Sequence, residues 1–126
     1  RKVICFSGDG SLLMNVQELV TLAELDLDVT VFVFNNGHLG LVRQQQELFY
    51  AENYVASRFD HALDYSYIAQ SFGVHGQRIS SPEDIGPVFD NLRHRRGPQL
   101  VDVVVDAEHN VYPMVPPGKG NHEMIG

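Results

Sequence analysis

Cysteine occurs once in this chain, as Cys5. No internal disulfide can form, and a lone thiol inside an apolar run reads as a small buried hydrophobe in a reducing compartment. The six histidines, at 38, 61, 75, 94, 109 and 122, lack the paired spacing of a zinc helix such as HExxH, which argues against zinc. Basic residues are also few. Nine Lys and Arg stand against sixteen Asp and Glu, a formal net charge of −7, and no basic stripe carries interleaved aromatics, so nucleic acid is not an expected partner. Long apolar runs are missing as well: Val29 to Phe34 and Leu100 to Val105 are far too short to span a bilayer, and nothing resembles a signal peptide. The expectation is a soluble, cytoplasmic chain without a membrane partner. It has no initiator Met, and Arg1 and Lys2 lead straight into a strand, which reads as the start of a fragment. Its 126 residues suffice for one domain with a core, although parallel α/β domains are commonly larger.

What is present is organised around Lys2 to Gly40. Val3 to Phe6 predicts a short buried parallel strand stopped by Ser7 and Gly8. A helix beginning at Ser11 follows, with Leu12, Val16, Leu19, Val20 and Ala23 on one apolar stripe. Val29 to Phe34 has the β-branched and aromatic content of a central strand. The result is a βαβ unit with Gly8-Asp9-Gly10 at one strand tip and Asn35-Asn36-Gly37-His38 at the next. Ligands of open parallel sheets sit outside these carboxyl ends. Asp9 and Asn36 are 27 positions apart (36 − 9), enough for a helix and the returning strand, so their side chains can share a ligand. A carboxylate and a carboxamide oxygen are hard donors suited to Mg²⁺ or Ca²⁺. Glycines at 8 and 10 allow close backbone approach, and the amides at the start of the helix favour an anion. Each motif also has a plain structural reading, because Gly-Asp-Gly is a common turn, Asp9 or Ser11 can cap a helix, and Asn-Gly is a frequent turn dipeptide.

The remainder continues the alternation. Leu39 to Tyr50 predicts a helix with Leu39, Val42, Gln46 and Phe49 on one face; Ala51 to Leu63 lacks periodicity and reads as loop. A helix over Asp64 to Phe72 ends at Gly73, and Val74 to Ile79 is a weaker strand. Ser81-Pro82-Glu83-Asp84 opens a helix that buries Ile85, Val88, Phe89 and Leu92 and ends in Arg93 to Arg96, a solvated basic end suited to the helix dipole. Gln99 to Val105 is a strong strand. The fold class is therefore α/β, three layers, with a mostly parallel sheet, helices on both faces and right-handed crossovers. Two regions are expected: a domain over residues 1–106 and a Pro/Gly-rich tail over residues 107–126, which cannot form a long helix.

Gly8-Asp9-Gly10, 24 intervening residues (11 to 34) and Asn35-Asn36 resemble the signature of thiamine-diphosphate enzymes. The stretches GDGSLLMNVQELVT, NNGHLGLVRQQQELFY and VYPMVPPGKGNHEMIG make the whole chain similar to the C-terminal part of the acetolactate (acetohydroxyacid) synthase catalytic subunit. That resemblance implies Mg²⁺ held by the side chains of Asp9 and Asn36 and the backbone carbonyl of His38. It implies a thiamine diphosphate tail lined by Gly8, Gly10 and Ser11, with Asp9, Asn36 and His38 completing the cofactor contacts. It places the Leu39–Tyr50 helix at the active-site rim. There many relatives carry Trp where this chain has Gln45, a position associated with choice of the second 2-oxo acid, so a preference for 2-oxobutyrate over pyruvate is not implied. The tail is implied to fold back near the active site. The parent reaction would be decarboxylation of pyruvate and transfer of its two-carbon unit to a second 2-oxo acid. The glutamate that activates the cofactor lies on a neighbouring subunit's amino-terminal domain, so no catalytic residue is assigned here. Further implied are the missing domains, FAD in the middle one, a homo-oligomer (dimer or tetramer) and a regulatory subunit. Two alternatives stay open: another thiamine-diphosphate carboligase or decarboxylase, and a non-catalytic Mg²⁺- or phosphate-binding α/β module resembling a receiver domain.

Overall fold

The structure, a computed structural model, describes residues 1–126. Four strands, β1 (Val3–Gly8), β2 (Val29–Asn35), β3 (His75–Ile79) and β4 (Gln99–Val104), form one wholly parallel sheet in the order β1-β2-β4-β3. The helices are α1 (Asp9–Leu13), α2 (Glu18–Glu24), α3 (Gly40–Phe49), α4 (Tyr65–Ser71) and α5 (Ile85–His94). Side chains alternate across each strand, so Val31, Val33 and Leu100 point to one face with Leu12, Leu19, Tyr65, Ala69 and Val74. Phe32 and Val101 point to the other, under Val88 and Leu92 of α5. Helices cover both faces and the α/β expectation holds.

Register fixes the site. Phe34 pairs with Gly8 on one side and Val103 on the other, and the Val105 amide donates to the Asn35 carbonyl at 3.0 Å. The carboxyl ends of β1, β2 and β4 are therefore level, and the chain leaves them at Asp9, Asn36 and Val105.

Four sequence expectations are corrected. The helix placed from Ser11 onward begins at Asp9 and is two helices: residues 14–17 break it with i to i+3 bonds such as Asn15 N to Leu12 O (3.0 Å) and Glu18 N to Asn15 O (2.9 Å). Asn15 and Gln17 contribute little helix preference, and the tighter turn still lands Leu12 and Leu19 in the core while Val20 stays exposed. The strand expected to be buried, β1, is the sheet edge, and Val3, Ile4 and Phe6 are 53%, 57% and 68% exposed. Cys5 lies on that edge and is exposed too. On α5 only Val88 and Leu92 are buried. Phe89 stacks on Phe32 at 5.8 Å yet is 43% exposed, and Ile85 is 47% exposed. Finally, α3 buries Arg43 and Gln44, whereas Val42 is exposed and Gln46 and Phe49 are half-buried.

Local signals held elsewhere. Asp64 caps α4, accepting from the amides of Ser66 (2.9 Å) and Tyr67 (3.3 Å), and Gly73 follows with φ of +80°, the left-handed conformation that favours glycine after a helix. Asp84 takes the amides of Ser80 and Ser81, both at 2.9 Å, in a turn that leads into α5. The carboxyl end of α5 receives Lys2, whose ammonium donates to the carbonyls of Leu92 (2.9 Å) and Arg95 (3.0 Å). Arg96 instead pairs with Asp28 at 2.8 Å.

Candidate functional site

A cleft of about 400 Å³ opens at the level carboxyl ends of the strands. Its floor is Gly8, Asp9, Gly10, Ser11, Asn36 and His38; its outer wall comes from α3 through Val42 and Gln44 and from the chain after β4 through His109 and Val111. Asp9 is the anchor. It is 3% exposed, with one carboxylate oxygen accepting from the Gly10 amide (2.7 Å) and the other from the Gly37 amide (2.8 Å). The second bond spans the two strand tips and brings the turn that carries Asn36 onto Asp9. Asn36 is oriented in turn: its Oδ1 accepts from the His38 amide at 3.1 Å, and its carbonyl lies 2.9 Å from His38 Nδ1.

Small residues hold this arrangement open. A Cβ on Gly10 would lie 2.6 Å from Leu39 Cδ2, and one on Gly40 would lie 2.8 Å from Asn36 Nδ2. Gly37 turns the chain with φ of +68°, where glycine carries no penalty. The loop after α3 contributes as well, because the Leu39 amide donates to Ser57 O (2.7 Å) and the Phe59 amide to Gly37 O (2.9 Å). Ser57 and Phe59 thus brace the Asn36 turn from outside. Sequence reasoning passed over both, since neither belongs to a periodic segment.

Each carboxylate oxygen of Asp9 accepts one amide and keeps a lone pair free, and Asn36 offers a carboxamide oxygen from the facing tip. Hard oxygen donors beside an open cleft fit a magnesium ion that shares its remaining positions with a substrate's phosphates and water. Backbone approach at Gly8 and the exposed Ser11 hydroxyl suit the adjoining diphosphate. The Gly10 amide already serves Asp9, and α1 is only five residues long, so a macrodipole contributes little. The structure thus draws Gly8, Asp9, Gly10, Ser11, Asn36 and His38 around one cleft. Gln45 stands apart: it is exposed on α3 and does not line the cleft, whereas its neighbour Gln44 does.

Below the floor lies a second carboxylate. Asp102 of β4 is fully buried and accepts from Asn35 Nδ2 (3.0 Å) and the Tyr65 amide (3.1 Å), with Arg78 at 3.4 Å. Burial pushes its carboxyl above the usual range despite these donors. Asp64 shares Arg78 at 2.8 Å. Burial also presses it upward, but bonds from Ser66 and Arg78 overcome this and hold it below the ordinary value. The Tyr65 phenol, buried near Asp9 and Asp102, is pushed well up, chiefly by burial.

A parallel sheet with a carboxylate and a carboxamide converging on a glycine-lined cleft is the arrangement of a diphosphate-anchoring domain. The family described as "Thiamine pyrophosphate enzyme, C-terminal TPP binding domain" matches residues 1–103, and the chain belongs to it. Within that family it is similar to acetolactate synthase large subunits. It is 46% identical over 126 residues to the isozyme 1 large subunit of Escherichia coli (strain K12), covering 100% of this chain and 22% of that protein. The isozyme 2 large subunit of the same organism is 41% identical over 123 residues, 98% of this chain and 22% of that protein. The large subunit of Parasynechococcus marenigrum (strain WH8102) is 45% identical over 127 residues, covering 100% and 21%. The chain thus spans about a fifth of the length of these relatives. Among solved structures, benzoylformate decarboxylase from Polynucleobacter necessarius superposes with a TM-score of 0.78 at 22% identity, over 87% of this chain and 20% of that one. The thiamine diphosphate-dependent 4-hydroxybenzoylformate decarboxylase of Rhodococcus jostii RHA1 gives 0.75 at 24% identity, over 84% and 20%. At these identities the superpositions speak for the fold alone. No helix is long and apolar enough to cross a membrane.

Proposed function

We propose that this chain is the Mg²⁺- and diphosphate-anchoring part of an acetolactate synthase catalytic subunit. The observation that carries the reading is the bond from the Gly37 amide to Asp9, which holds the Asn36 turn against the carboxylate at one end of an open cleft. Asp9 and Asn36 would hold the metal through side-chain oxygens, His38 through its carbonyl, and Gly8, Gly10 and Ser11 would line the diphosphate. When bound, thiamine diphosphate supplies the chemistry by which a 2-oxo acid loses carbon dioxide and passes its two-carbon unit to a second 2-oxo acid. The chain's own residues bind and orient. Asp9 presents a charge already fixed by two amides, and Asn36 is aimed by the His38 amide.

Asp9 is the one carboxylate lining the cleft, and in this reading the activating glutamate is the one the resemblance implies on a neighbouring subunit's amino-terminal domain. Residues 1–106 form the anchoring domain in this reading and residues 107–126 a wall segment. The rest of the catalytic subunit, FAD in its middle domain, a homo-oligomer, a regulatory subunit and a cytoplasmic setting complete the proposed enzyme. The similarity to acetolactate synthases over the whole chain favours this over another thiamine-diphosphate carboligase or a non-catalytic module.

The test is paired. The full-length enzyme should convert pyruvate to acetolactate only with Mg²⁺ and thiamine diphosphate, and residues 1–126 alone should give none. A full-length protein that binds Mg²⁺ but shows no calorimetric signal with thiamine diphosphate, or acetolactate above background from residues 1–126, would defeat the proposal in its respective half.

A further inference from the structure

Asp102 is fully buried, and the proposed function leaves it without a task. In a sheet covered on both faces an apolar side chain would pack there without the cost of a buried charge. Its two oxygens are divided between two parts of the molecule. Oδ1 accepts from Asn35 Nδ2 at 3.0 Å, whereas Oδ2 accepts from the Tyr65 amide at 3.1 Å and lies 3.4 Å from Arg78. Arg78 also reaches Asp64, the cap of α4, at 2.8 Å. One oxygen is thus anchored to β3 and the start of α4, and the other reaches β2 at a single residue. Asn35 has nothing to spare for another partner: its second amide hydrogen goes to the Leu63 carbonyl at 3.1 Å, and its own carbonyl accepts from the Val105 amide at 3.0 Å.

The place of Asn35 in the chain gives this network its consequence. The ladder between β2 and β4 ends at the pair Asn35 and Val104, so Asn36 stands one residue beyond it. Ahead of Asn36, the Gly37 amide is bonded to Asp9 at 2.8 Å. Ser57 and Phe59 brace the far side of the turn, but its tie into the body of the sheet runs through Asn35. A metal pair assembled from two strand tips works only when each oxygen stands within about 0.5 Å of its productive place. We propose that Asp102 is a positioning residue for the metal pair: acting through Asn35, it sets where the Asn36 oxygen stands against Asp9. It touches neither the ion nor the cofactor. A charged acceptor suits that task, since a hydrogen bond to a carboxylate is shorter and stronger than one to a neutral group, and Arg78 and the Tyr65 amide hold the carboxylate from behind. The inference rests on the reading of Asp9 and Asn36 as Mg²⁺ donors, but the grip of Asp102 on the turn does not.

The experiment uses the full-length enzyme with Asn35→Ala, Asp102→Asn, the two combined, and Leu100→Ala. Asp102→Asn keeps the shape but turns one oxygen into a donor, so it cannot accept on both sides. Leu100→Ala removes a fully buried side chain of the same strand and leaves the bond between Asn35 and Asp102 in place. Mg²⁺ is titrated calorimetrically with thiamine diphosphate saturating. Its affinity should fall about tenfold in each single variant, as expected when a partner behind a metal ligand is lost. The double variant should lose no more than the worse single one, because the two residues act in series. In the cofactor-free enzyme, hydrogen exchange at the Gly37 and His38 amides should quicken in the same three proteins. Leu100→Ala should lower the urea midpoint at least as far as Asn35→Ala yet keep wild-type Mg²⁺ affinity and exchange. A double variant about a hundredfold weaker, the product of two independent losses, overturns action through Asn35. An affinity that falls as far in Leu100→Ala as in Asn35→Ala means general loosening and overturns the positioning role, and that pair decides the matter even if Asp102→Asn fails to fold. Unchanged exchange in Asn35→Ala overturns the grip on the turn. A wild-type enzyme that takes up no Mg²⁺ with thiamine diphosphate defeats the functional reading instead, and the exchange data still decide the grip.

Discussion

Asp9 and Asp102 are both buried carboxylates near the carboxyl ends of the same sheet, yet they are built for different work. Asp102 is enclosed by the Asn35 carboxamide, the Tyr65 amide and the Arg78 guanidinium and has no access to the cleft. Asp9 is met by two backbone amides only and faces the opening. Burial alone therefore does not mark a ligand-binding acid. What distinguishes Asp9 is that its partners orient it without using up its charge, whereas the partners of Asp102 consume it in joining β2, β4 and α4 beneath the floor. A buried charge left with fewer partners than it needs is expensive, so Asp102 reads as a structural joint.

That contrast can be broken in either direction. The largest effect is expected from Asp9→Ala, which removes the one charged donor of the proposed metal site. Mg²⁺-dependent binding of thiamine diphosphate should weaken by about a thousandfold, some 4 kcal/mol, while the unfolding midpoint of the cofactor-free protein moves less than in any Asp102 variant. Calorimetry and urea unfolding check both halves. Next comes Asp102→Leu, which strands the Asn35 carboxamide and the Tyr65 amide and should cost about 3 kcal/mol of stability by urea unfolding. If the cost proves below that of Asp9→Ala, the assignment of roles reverses.

The smallest effect sharpens the comparison with a third acid. Asp64→Ala loses the α4 cap and should cost about 1 kcal/mol at neutral pH. The carboxyl of Asp64 is held below 3.8, so its contribution is complete above that pH and disappears as pH falls through the depressed value. The stability gap between wild type and Asp64→Ala should close on acidification below 3.8. Asp102 is raised above 3.8 and has the opposite sign. Its folded form takes up a proton first, so acidification from neutral pH toward 3.8 relieves a burden there before it removes support at Asp64. Unfolding followed across acidic pH in the two single variants distinguishes the two slopes.

Much of this was legible in residue order. The two strand tips, with Asp9 on one and Asn36 on the other, followed from an apolar strand, a glycine turn and a second apolar strand. Asp64 before α4 and Gly73 after it, and Asp84 with its serines, are local devices whose chemistry needs no tertiary context. The break at residues 14–17 was hidden because Leu12, Val16 and Leu19 keep helical spacing across it. Within residues 1–126 β1 has a single neighbour, and an apolar run does not say whether a strand has one neighbour or two. Gln44 and Gln45 are identical in sequence, and only the contacts of Gln44 with Val111 and Met114 separate them. Asp102 left a faint signal: an acid inside the apolar run from Leu100 to Val105 cannot be left unpaired in a sheet covered on both faces. Arg78, its partner, lies 24 residues earlier (102 − 78), and no local rule joins them.

The outer rim of β1 has a consequence for handling the molecule. From Val3 to Gly8 there is no Lys, Glu or Pro to blunt a strand whose far side carries unpaired amides and carbonyls, and such a rim is a template for another extended chain. Concentrated solutions of residues 1–126 will tend to lengthen the sheet from that side, with the stacked rings of Phe6, Phe32 and Phe34 giving the newcomer a surface to lie on. A charge introduced at Ile4 would be the simplest guard.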